Sequence, residues 1–389
     1  MSTDQEALWT DPPADDRGFL ARLSPFDWVW ALFVLVGTVY ASVHFRPWMD
    51  GYEQAILYGT GAMVVGIGWM WKPARGFTVA VAAVSLFAVL RYPHLDAAGS
   101  DFFLNYLVSS QAAIMWMCAL FPAATVAYLL ALPLRSTFLE RLGSAMTWLA
   151  SGAGLVGLLV RWWESYLIAP EVGRIPVTNL YEVFVLFAFT TGLIYLYYEH
   201  RYATRALGGF VGLVITASIG FLLWYHFAQG AHEIDPLIPA LQSWWMKIHV
   251  PTNFVAYGAF AIAAMIGVAY LVQARWPEAW RRRGLPGPDV MDDLMYKNIA
   301  LGFAFFTIAT ILGALWAAEA WGGYWSWDPK ETWSLITWLN YAAWLHLRFT
   351  KGWRGTPMAW WAVAGLLVVT FTFLGVNIFL SGLHSYGEL

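Results

Sequence analysis

The feature that most constrains this chain is a series of long apolar segments separated by short polar ones. A helix that crosses a bilayer needs about 20 mostly apolar residues. Because lipid offers no partners to backbone N–H and C=O groups, each such segment must be an α-helix. The predicted spans are eleven in number, at residues 26–44, 53–71, 77–90, 111–134, 146–163, 182–198, 207–227, 253–274, 298–318, 332–348 and 358–380.

The composition excludes the other classes of protein. Hydrophobic residues make up 59% of the chain and charged residues only 12%, whereas soluble proteins carry roughly 25% charged residues. Disordered chains combine low hydrophobicity with high charge, which is the opposite pattern. The formal net charge of −3 and the lack of a basic stripe exclude nucleic acid as a partner. The sequence therefore predicts an all-α, polytopic integral membrane protein with about eleven transmembrane helices.

The distribution of charge predicts the orientation of these helices. Sixteen of the 22 lysines and arginines lie on one side of the predicted spans. Since cytoplasmic segments carry the excess of positive charge, we expect a cytoplasmic N-terminus and an extracytoplasmic C-terminus. Residues 1–25 are polar and acidic, so they are neither a signal peptide nor a transit peptide. We expect them to form a disordered cytoplasmic tail of a multi-pass protein in the bacterial inner membrane.

Cysteine usage limits the chemistry. Cys118 is the single cysteine and it lies in an apolar run. A disulfide framework and a C-x-x-C redox pair are therefore excluded. Any redox function needs a bound cofactor, and the eight histidines are the candidate ligands for it.

The segment at about residues 319–333 is unusually rich in tryptophan. It contains Trp321, Gly322, Tyr324, Trp325, Trp327 and Trp333. Flat aromatic faces suit a large planar apolar ligand, because they bury its area by stacking. The alternative is an interfacial aromatic belt, in which tryptophans anchor helix ends. A belt does not concentrate four tryptophans in one loop, so we favour ligand binding.

The end of this loop has the pattern of a helix start. Asp328 fits an N-cap, Pro329 the first helical position, and Glu331 the third residue of a capping box. A helix N-terminus attracts anionic groups, and Lys330 adds a full positive charge. A planar apolar ring with carboxylate arms fits both halves of the loop, and haem is such a ligand.

Two histidines flank the same side of the predicted bundle. His249 lies just before the span 253–274, and His384 lies just after the span 358–380. A haem iron with two histidine ligands takes one imidazole on each face. The alternative reading of each is a solvated histidine at the membrane boundary.

His346 differs from this pair in depth. It lies within the span 332–348, roughly 21 Å below the outer surface at 1.5 Å per residue. An ionisable group at that depth is a candidate for function. The alternatives are a hydrogen-bonded histidine of the bundle and one that reaches inward to the membrane surface.

The run 321–348 resembles the tryptophan-rich "WWD" segment of haem-handling membrane proteins, in particular the CcsA- or ResC-type proteins of cytochrome c biogenesis system II. The segments 176–182 (PVTNLYE), 239–250 (PALQSWWMKIHV) and 375–386 (GVNIFLSGLHSY) resemble further parts of that family. The likeness covers about residues 111–389, which gives a core of eight helices. Residues 26–92 are then a three-helix extension to which the resemblance assigns no function.

The resemblance implies a function and a set of site residues. His249 and His384 correspond to the axial ligands of an outer haem, and His346 to a histidine of an inner haem site. The loop residues that would hold the porphyrin are Trp321, Gly322, Tyr324, Trp325, Trp327, Asp328 and Lys330. Haem b would be both bound ligand and substrate, in a subunit of a haem-lyase-type holocytochrome c synthase.

The resemblance also implies partners. They are a ResB- or CcsB-type membrane subunit, an apocytochrome c with a C-x-x-C-H motif, and a thiol-reducing protein. Two other functions stay open at this point. One is a b-type electron carrier that never releases its haem, and the other is a haem exporter without synthase activity.

Overall fold

The structure, a computed structural model, describes residues 18–237, 239–283 and 285–384. Regular structure within these ranges is entirely helical, as predicted. The long helices are α1 (Pro25–His44), α2 (Gly51–Met70), α3 (Pro73–Leu90), α4 (Ser110–Leu134), α5 (Thr137–Ile168), α6 (Leu180–Arg201), α7 (Gly208–Gln229), α8 (Met246–Arg275), α9 (Pro288–Trp321), α10 (Pro329–Lys351) and α11 (Thr356–Phe379).

Nine helices of the described ranges are long and apolar enough to cross a membrane, which are all of these except α2 and α10. The class of polytopic membrane protein is confirmed, whereas the predicted number of about eleven spans exceeds this nine. Both exceptions form helices where spans were predicted, but polar residues lower their hydropathy. Glu53 and Gln54 lie in the first turns of α2, and α10 carries Asn340 and His346 within its length. The side on which each terminus lies stays a prediction.

The chain divides into two compact units, with the boundary between Leu86 and Phe87. In the first unit Asp27 closes a capping box with Ser24 at the start of α1 and pairs with Arg75. The Trp69 indole N–H also donates to the Asp27 carbonyl, at 2.8 Å. Of the predicted tail, residues 1–17 lie outside the described residues, and Phe19–Arg22 form a 3-10 turn.

Helix α8 is the central element of the second unit. It packs against α6, α7, α9 and α11. Small residues allow this close approach, as is typical of helix contacts in membranes. A Cβ added at Gly258 would lie 2.7 Å from Thr191 Oγ1 of α6, and one at Gly267 would lie 2.9 Å from the Ala359 carbonyl of α11. Because four helices surround α8, its first turn lies near the middle of one end of the bundle.

A buried ion pair fixes the segment that leads into α8. Arg161 of α5 and Glu182 of α6 are 3% and 2% exposed, and their Nε and Oε1 atoms are 2.8 Å apart. The Nη1 and Nη2 atoms of the same guanidinium donate to the carbonyls of His232 and Glu233, at 2.6 and 2.9 Å. Because every charge is paired, one guanidinium joins two helices to the segment between α7 and α8.

Removal of the Glu182 carboxylate should destabilise the protein strongly. Glu182→Ala leaves the Arg161 charge buried without its partner, which costs about 3–5 kcal/mol. The free energy of unfolding in detergent micelles measures this loss. The control is Asp293→Ala, which breaks the Lys297–Asp293 pair whose side chains are both 43% exposed. An exposed pair is worth at most about 1 kcal/mol. Equal losses in both variants would contradict a special role of the buried pair.

Candidate functional site

A cavity of about 240 Å³ lies at the end of the bundle where α8 and α10 begin and α9 ends. Its walls contain eight aromatic side chains and both histidines that flank the predicted bundle end. The aromatic lining residues are Tyr225, Phe254, Tyr257, Phe306, Trp316, Tyr324, Trp325 and Phe373. The cavity thus brings together α7, α8, α9, α10, α11, the tryptophan-rich loop and the C-terminal segment.

His249 lies in the first turn of α8 and packs against α9. Its Nδ1 is 2.8 Å from the Ala309 carbonyl oxygen. A carbonyl only accepts hydrogen bonds, so Nδ1 carries the proton and Nε2 carries the lone pair. Gly313 gives the ring its space, because a Cβ there would lie 2.9 Å from His249 Cε1.

His384 enters the cavity from the C-terminal segment and is held by the tryptophan-rich loop. Its Nδ1 lies 2.9 Å from Asp328 Oδ1, and the backbone N–H of Leu383 donates to Asp328 Oδ2 at 2.6 Å. Gly382 allows this approach, because a Cβ there would collide with the same carboxylate. As at His249, the proton lies on Nδ1 and the lone pair on Nε2.

Electrostatics favour the neutral form of His384. Burial lowers the pKa of His384 below its ordinary value, although the Asp328 carboxylate opposes this shift. Burial raises the pKa of Asp328, but hydrogen bonds from the Lys330 N–H and from His384 outweigh burial and hold it below its ordinary value. Near neutral pH Asp328 is therefore a carboxylate and His384 is a neutral imidazole. The neutral imidazole is the form of histidine that binds a metal ion.

Two tryptophan rings pack close to the histidines. Trp316 of α9 is 6% exposed, and its ring centroid is 5.8 Å from that of His249 and 6.4 Å from that of His384. Trp321 stacks on Trp316 at 6.2 Å and lies edge-on to His384 at 4.6 Å. Trp321 is one of the residues predicted from the sequence, whereas Trp316 was not predicted. The signal was its helical spacing, since Ala309, Gly313 and Trp316 share one face of α9.

Some of the predicted loop residues line the cavity and others do not. Tyr324 and Trp325 line the cavity. Gly322 instead ends α9 in the left-handed conformation, with φ of +79°, which is the ordinary position of a helix-terminating glycine. Trp327 is 69% exposed and is not among the described residues that line the cavity.

A carboxylate at the start of α10 fixes the conformation of the loop. The Glu331 carboxylate accepts the backbone N–H groups of Ser326 and Asp328, at 2.7 and 3.1 Å. These two bonds enclose Trp327, whose φ is +61°, a conformation that a bulky side chain rarely adopts. Asp328 in return caps α10 and accepts the Lys330 N–H, so the predicted capping box is confirmed.

Lys330 lines the cavity, but its ammonium group also binds α11. It donates to the Phe373 carbonyl at 2.8 Å and to Asn377 Oδ1 at 2.7 Å. Phe373 lies in a π-helical turn, Phe371–Gly375, and such turns are frequent at functional sites. An ammonium group has three donors, and these two contacts account for two of them.

His346 lies apart from this cavity. It is exposed on α10, sixteen residues beyond Lys330, which is roughly 24 Å along the helix. The structure therefore brings His249 and His384 together and separates His346 from them. His226 and His232, which no sequence motif links to a function, also lie together, with ring centroids 4.2 Å apart.

The fold and the cavity define a polytopic helical membrane protein with a tryptophan-lined site between two histidines. The model of the family described as cytochrome c assembly protein matches residues 177–384, which is more than half of the chain. The chain therefore belongs to the cytochrome c assembly protein family.

The named proteins that this chain is similar to include cytochrome c biogenesis proteins. The chain is 36% identical over 296 residues to a cytochrome c biogenesis protein CcsA of Synechococcus sp. (strain CC9311), and the match covers 67% of this chain and 94% of the relative. It is 40% identical over 236 residues to the CcsA of Chlamydomonas reinhardtii, covering 59% of this chain and 64% of that relative. The chain thus spans less than two thirds of the Chlamydomonas protein.

A solved structure shares the fold. Cytochrome c heme lyase CcmF superposes with a TM-score of 0.51 over 68% of this chain and 48% of that chain, at 19% identity. At this identity the likeness supports the helical architecture alone.

The space beside His249 should not accept a larger residue at position 313. Gly313→Ala places a methyl group against the imidazole, and overpacking of this kind costs about 1–3 kcal/mol. Denaturant unfolding in micelles measures the loss. The matched control is Gly220→Ala in α7, where nothing lies within 4 Å of the added Cβ. Because alanine is the better helix former by about 1 kcal/mol, this control should be neutral or slightly stabilising. A Gly313 variant as stable as the control would show that the ring moves aside at little cost.

Proposed function

We propose that this chain holds haem as a substrate between His249 and His384 and positions it for covalent attachment to an apocytochrome c. One observation carries the proposal. Two imidazoles line the same aromatic cavity, and each has its Nδ1 bound to an acceptor, so that each presents the lone pair of Nε2. This second-sphere pattern is typical of histidines that bind a metal.

The surroundings support haem rather than a bare metal ion. Within the described ranges no three His, Cys, Asp or Glu side chains converge on one point. Two histidines complete the coordination of an iron whose other four ligands come from a porphyrin. Trp316 and Trp325 supply flat faces that bury such a ring. The cargo proposed is haem b, whose vinyl groups are available for reaction.

The proposed reaction joins the haem vinyl groups to the two thiols of a C-x-x-C-H segment. Each thiol adds its sulfur and its hydrogen across a vinyl double bond, so no oxidant is needed. The contribution of the protein is to hold the ring in place and in orientation. This is the chemistry of a haem lyase, and membership of a cytochrome c assembly family supports it. Cys118 is buried in α4 and cannot serve as a substrate thiol or reductant, so a separate thiol-reducing protein keeps the acceptor cysteines reduced.

Lys330 is proposed to contact a haem propionate. Its ammonium group lies in the wall of the cavity and is fixed by Phe373 and Asn377. A positive charge held in the wall of the cavity attracts a carboxylate arm of the ring. The N-terminus of α10 adds partial positive charge at the same place.

His346 is proposed to belong to an inner haem site that is completed by a second subunit. Its side chain is exposed on α10, so a ResB- or CcsB-type membrane protein has access to it. The same subunit would hold the apocytochrome, because the joining segments near the cavity, 169–179, 230–245 and 322–328, are far shorter than the roughly 40 residues that an independent domain needs. We propose the bacterial inner membrane as the location, with the cavity on the extracytoplasmic side.

Loss of either proposed iron ligand should abolish cytochrome c maturation. His249→Ala and His384→Ala each remove one axial imidazole, so the haem that co-purifies should fall and lose its bis-histidine spectrum. Reduced-minus-oxidised visible spectra and covalent haem on a reporter apocytochrome measure the two effects. Added imidazole should restore part of both, because it fills the vacated position.

The matched control is His200→Ala, which changes an exposed histidine at the end of α6 and should behave as wild type. Normal maturation by either ligand variant without imidazole would contradict axial ligation. Haem that is bound by wild type and never transferred to the acceptor would instead favour the b-type electron carrier. Haem export without attachment would favour the exporter.

The partner requirement has its own test. In a host that lacks a maturation system, with reporter apocytochrome and thiol reductant supplied, this chain should attach no haem until a ResB-type subunit is co-expressed. His346→Ala should then lower the haem content of the complex, because the inner site feeds the outer one. Covalent haem on the reporter from this chain alone would refute the requirement for the subunit.

A further inference from the structure

The two proposed iron ligands differ in the group that binds their Nδ1 atoms. The His249 N–H donates to a neutral backbone carbonyl, that of Ala309, at 2.8 Å. The His384 N–H donates to an ionised carboxylate, that of Asp328, at 2.9 Å. A carboxylate polarises the imidazole N–H more strongly than a carbonyl does, and this raises the donor strength of the opposite nitrogen. The two Nε2 atoms are therefore unequal donors.

The Asp328 carboxylate is rigidly held in this position. It is 7% exposed, and besides His384 it accepts the backbone N–H groups of Lys330 and Leu383, at 2.9 and 2.6 Å. Glycine at position 382 is what allows the C-terminal segment to come this close. The contact is thus part of how the loop, α10 and the C-terminal segment fit together.

We infer that Asp328 is a positioning residue that makes His384 the stronger of the two iron ligands, so that His249 is the ligand that iron gives up first. The inference rests on the proposed function, since it assumes that both histidines bind haem. It assigns an order to the transfer: the histidine of the C-x-x-C-H acceptor replaces His249, while His384 holds the haem until the thioether bonds have formed.

The fixation of His249 agrees with this order. Its ring is confined between α8 and α9 by the Ala309 carbonyl and by the slot at Gly313, so it cannot follow a haem that moves out of the cavity. His384 lies in a segment that is not helical after Phe379. The ligand with the stronger bond is therefore the one outside the helix bundle.

Asp328→Asn tests the inference without removing the helix cap. Asparagine is as good an N-cap as aspartate, and its side-chain oxygen still accepts from His384 and from the Lys330 N–H. The negative charge is lost, and with it the second oxygen that accepts the Leu383 N–H. We expect the midpoint potential of the bound haem to shift to a more positive value, because a weaker donor stabilises ferric iron less. The same shift should occur in the His249→Gly background and should be absent in the His384→Gly background. This double-mutant comparison separates an effect through His384 from a general effect of charge.

Carbon monoxide identifies the ligand that leaves first. It binds ferrous haem in place of one axial ligand, and the C–O stretching frequency reports the ligand that remains opposite. The wild-type complex should match that of His249→Gly and differ from that of His384→Gly. Asp328→Asn should raise the frequency in wild type and in His249→Gly only.

A wild-type carbon monoxide complex that matches His384→Gly would overturn the order of release. An equal shift by Asp328→Asn in both glycine backgrounds would overturn the role of Asp328. In either case haem binding and the proposed function would stand. A wild-type protein that holds no haem in any preparation would overturn the proposed function, and the inference with it.

Discussion

The Asp328 carboxylate is the interaction on which the arrangement of the cavity depends. It caps α10, accepts the backbone N–H of Leu383 and holds the imidazole of His384. The tryptophan-rich loop and the start of α10, which follow each other in the chain, therefore meet the distant C-terminal segment at one side chain. Because Glu331 holds the preceding loop residues from the same helix, the loop and the histidine cannot be positioned independently of each other.

The opposite wall of the cavity is positioned by packing. His249 sits on α8, which small residues bring close to its neighbours on several sides. The Arg161–Glu182 pair restrains the segment that enters this helix. One proposed ligand is thus fixed by a rigid helix bundle and the other by a polar contact outside it. A protein that must hold a cofactor and later release it benefits from such a difference, because one bond is weakened without loss of the whole site.

Helix α10 links the two proposed haem sites. Its first turn contributes Lys330 to the cavity, and His346 lies exposed on its surface roughly 24 Å further along. The helix is less apolar than the nine helices of the described ranges that are long and apolar enough to cross a membrane. Polar residues inside a membrane bundle are costly and are usually retained for function. The two proposed sites near its ends give α10 a reason to be the more polar helix.

The sequence by itself determined the helices, because burial in lipid requires an apolar span to be helical, and it also determined the capping box at Asp328, because a cap is local. It marked His249, His384 and the tryptophan-rich loop as candidates for the site through their motifs. The tertiary structure alone decided which groups bind the two Nδ1 atoms, that Trp316 packs close to both imidazole rings, and that Trp327 is exposed. It also turned Lys330 towards α11. These contacts join residues as far as 68 positions apart, so they depend on how the helices pack, and no local pattern of residues encodes that packing.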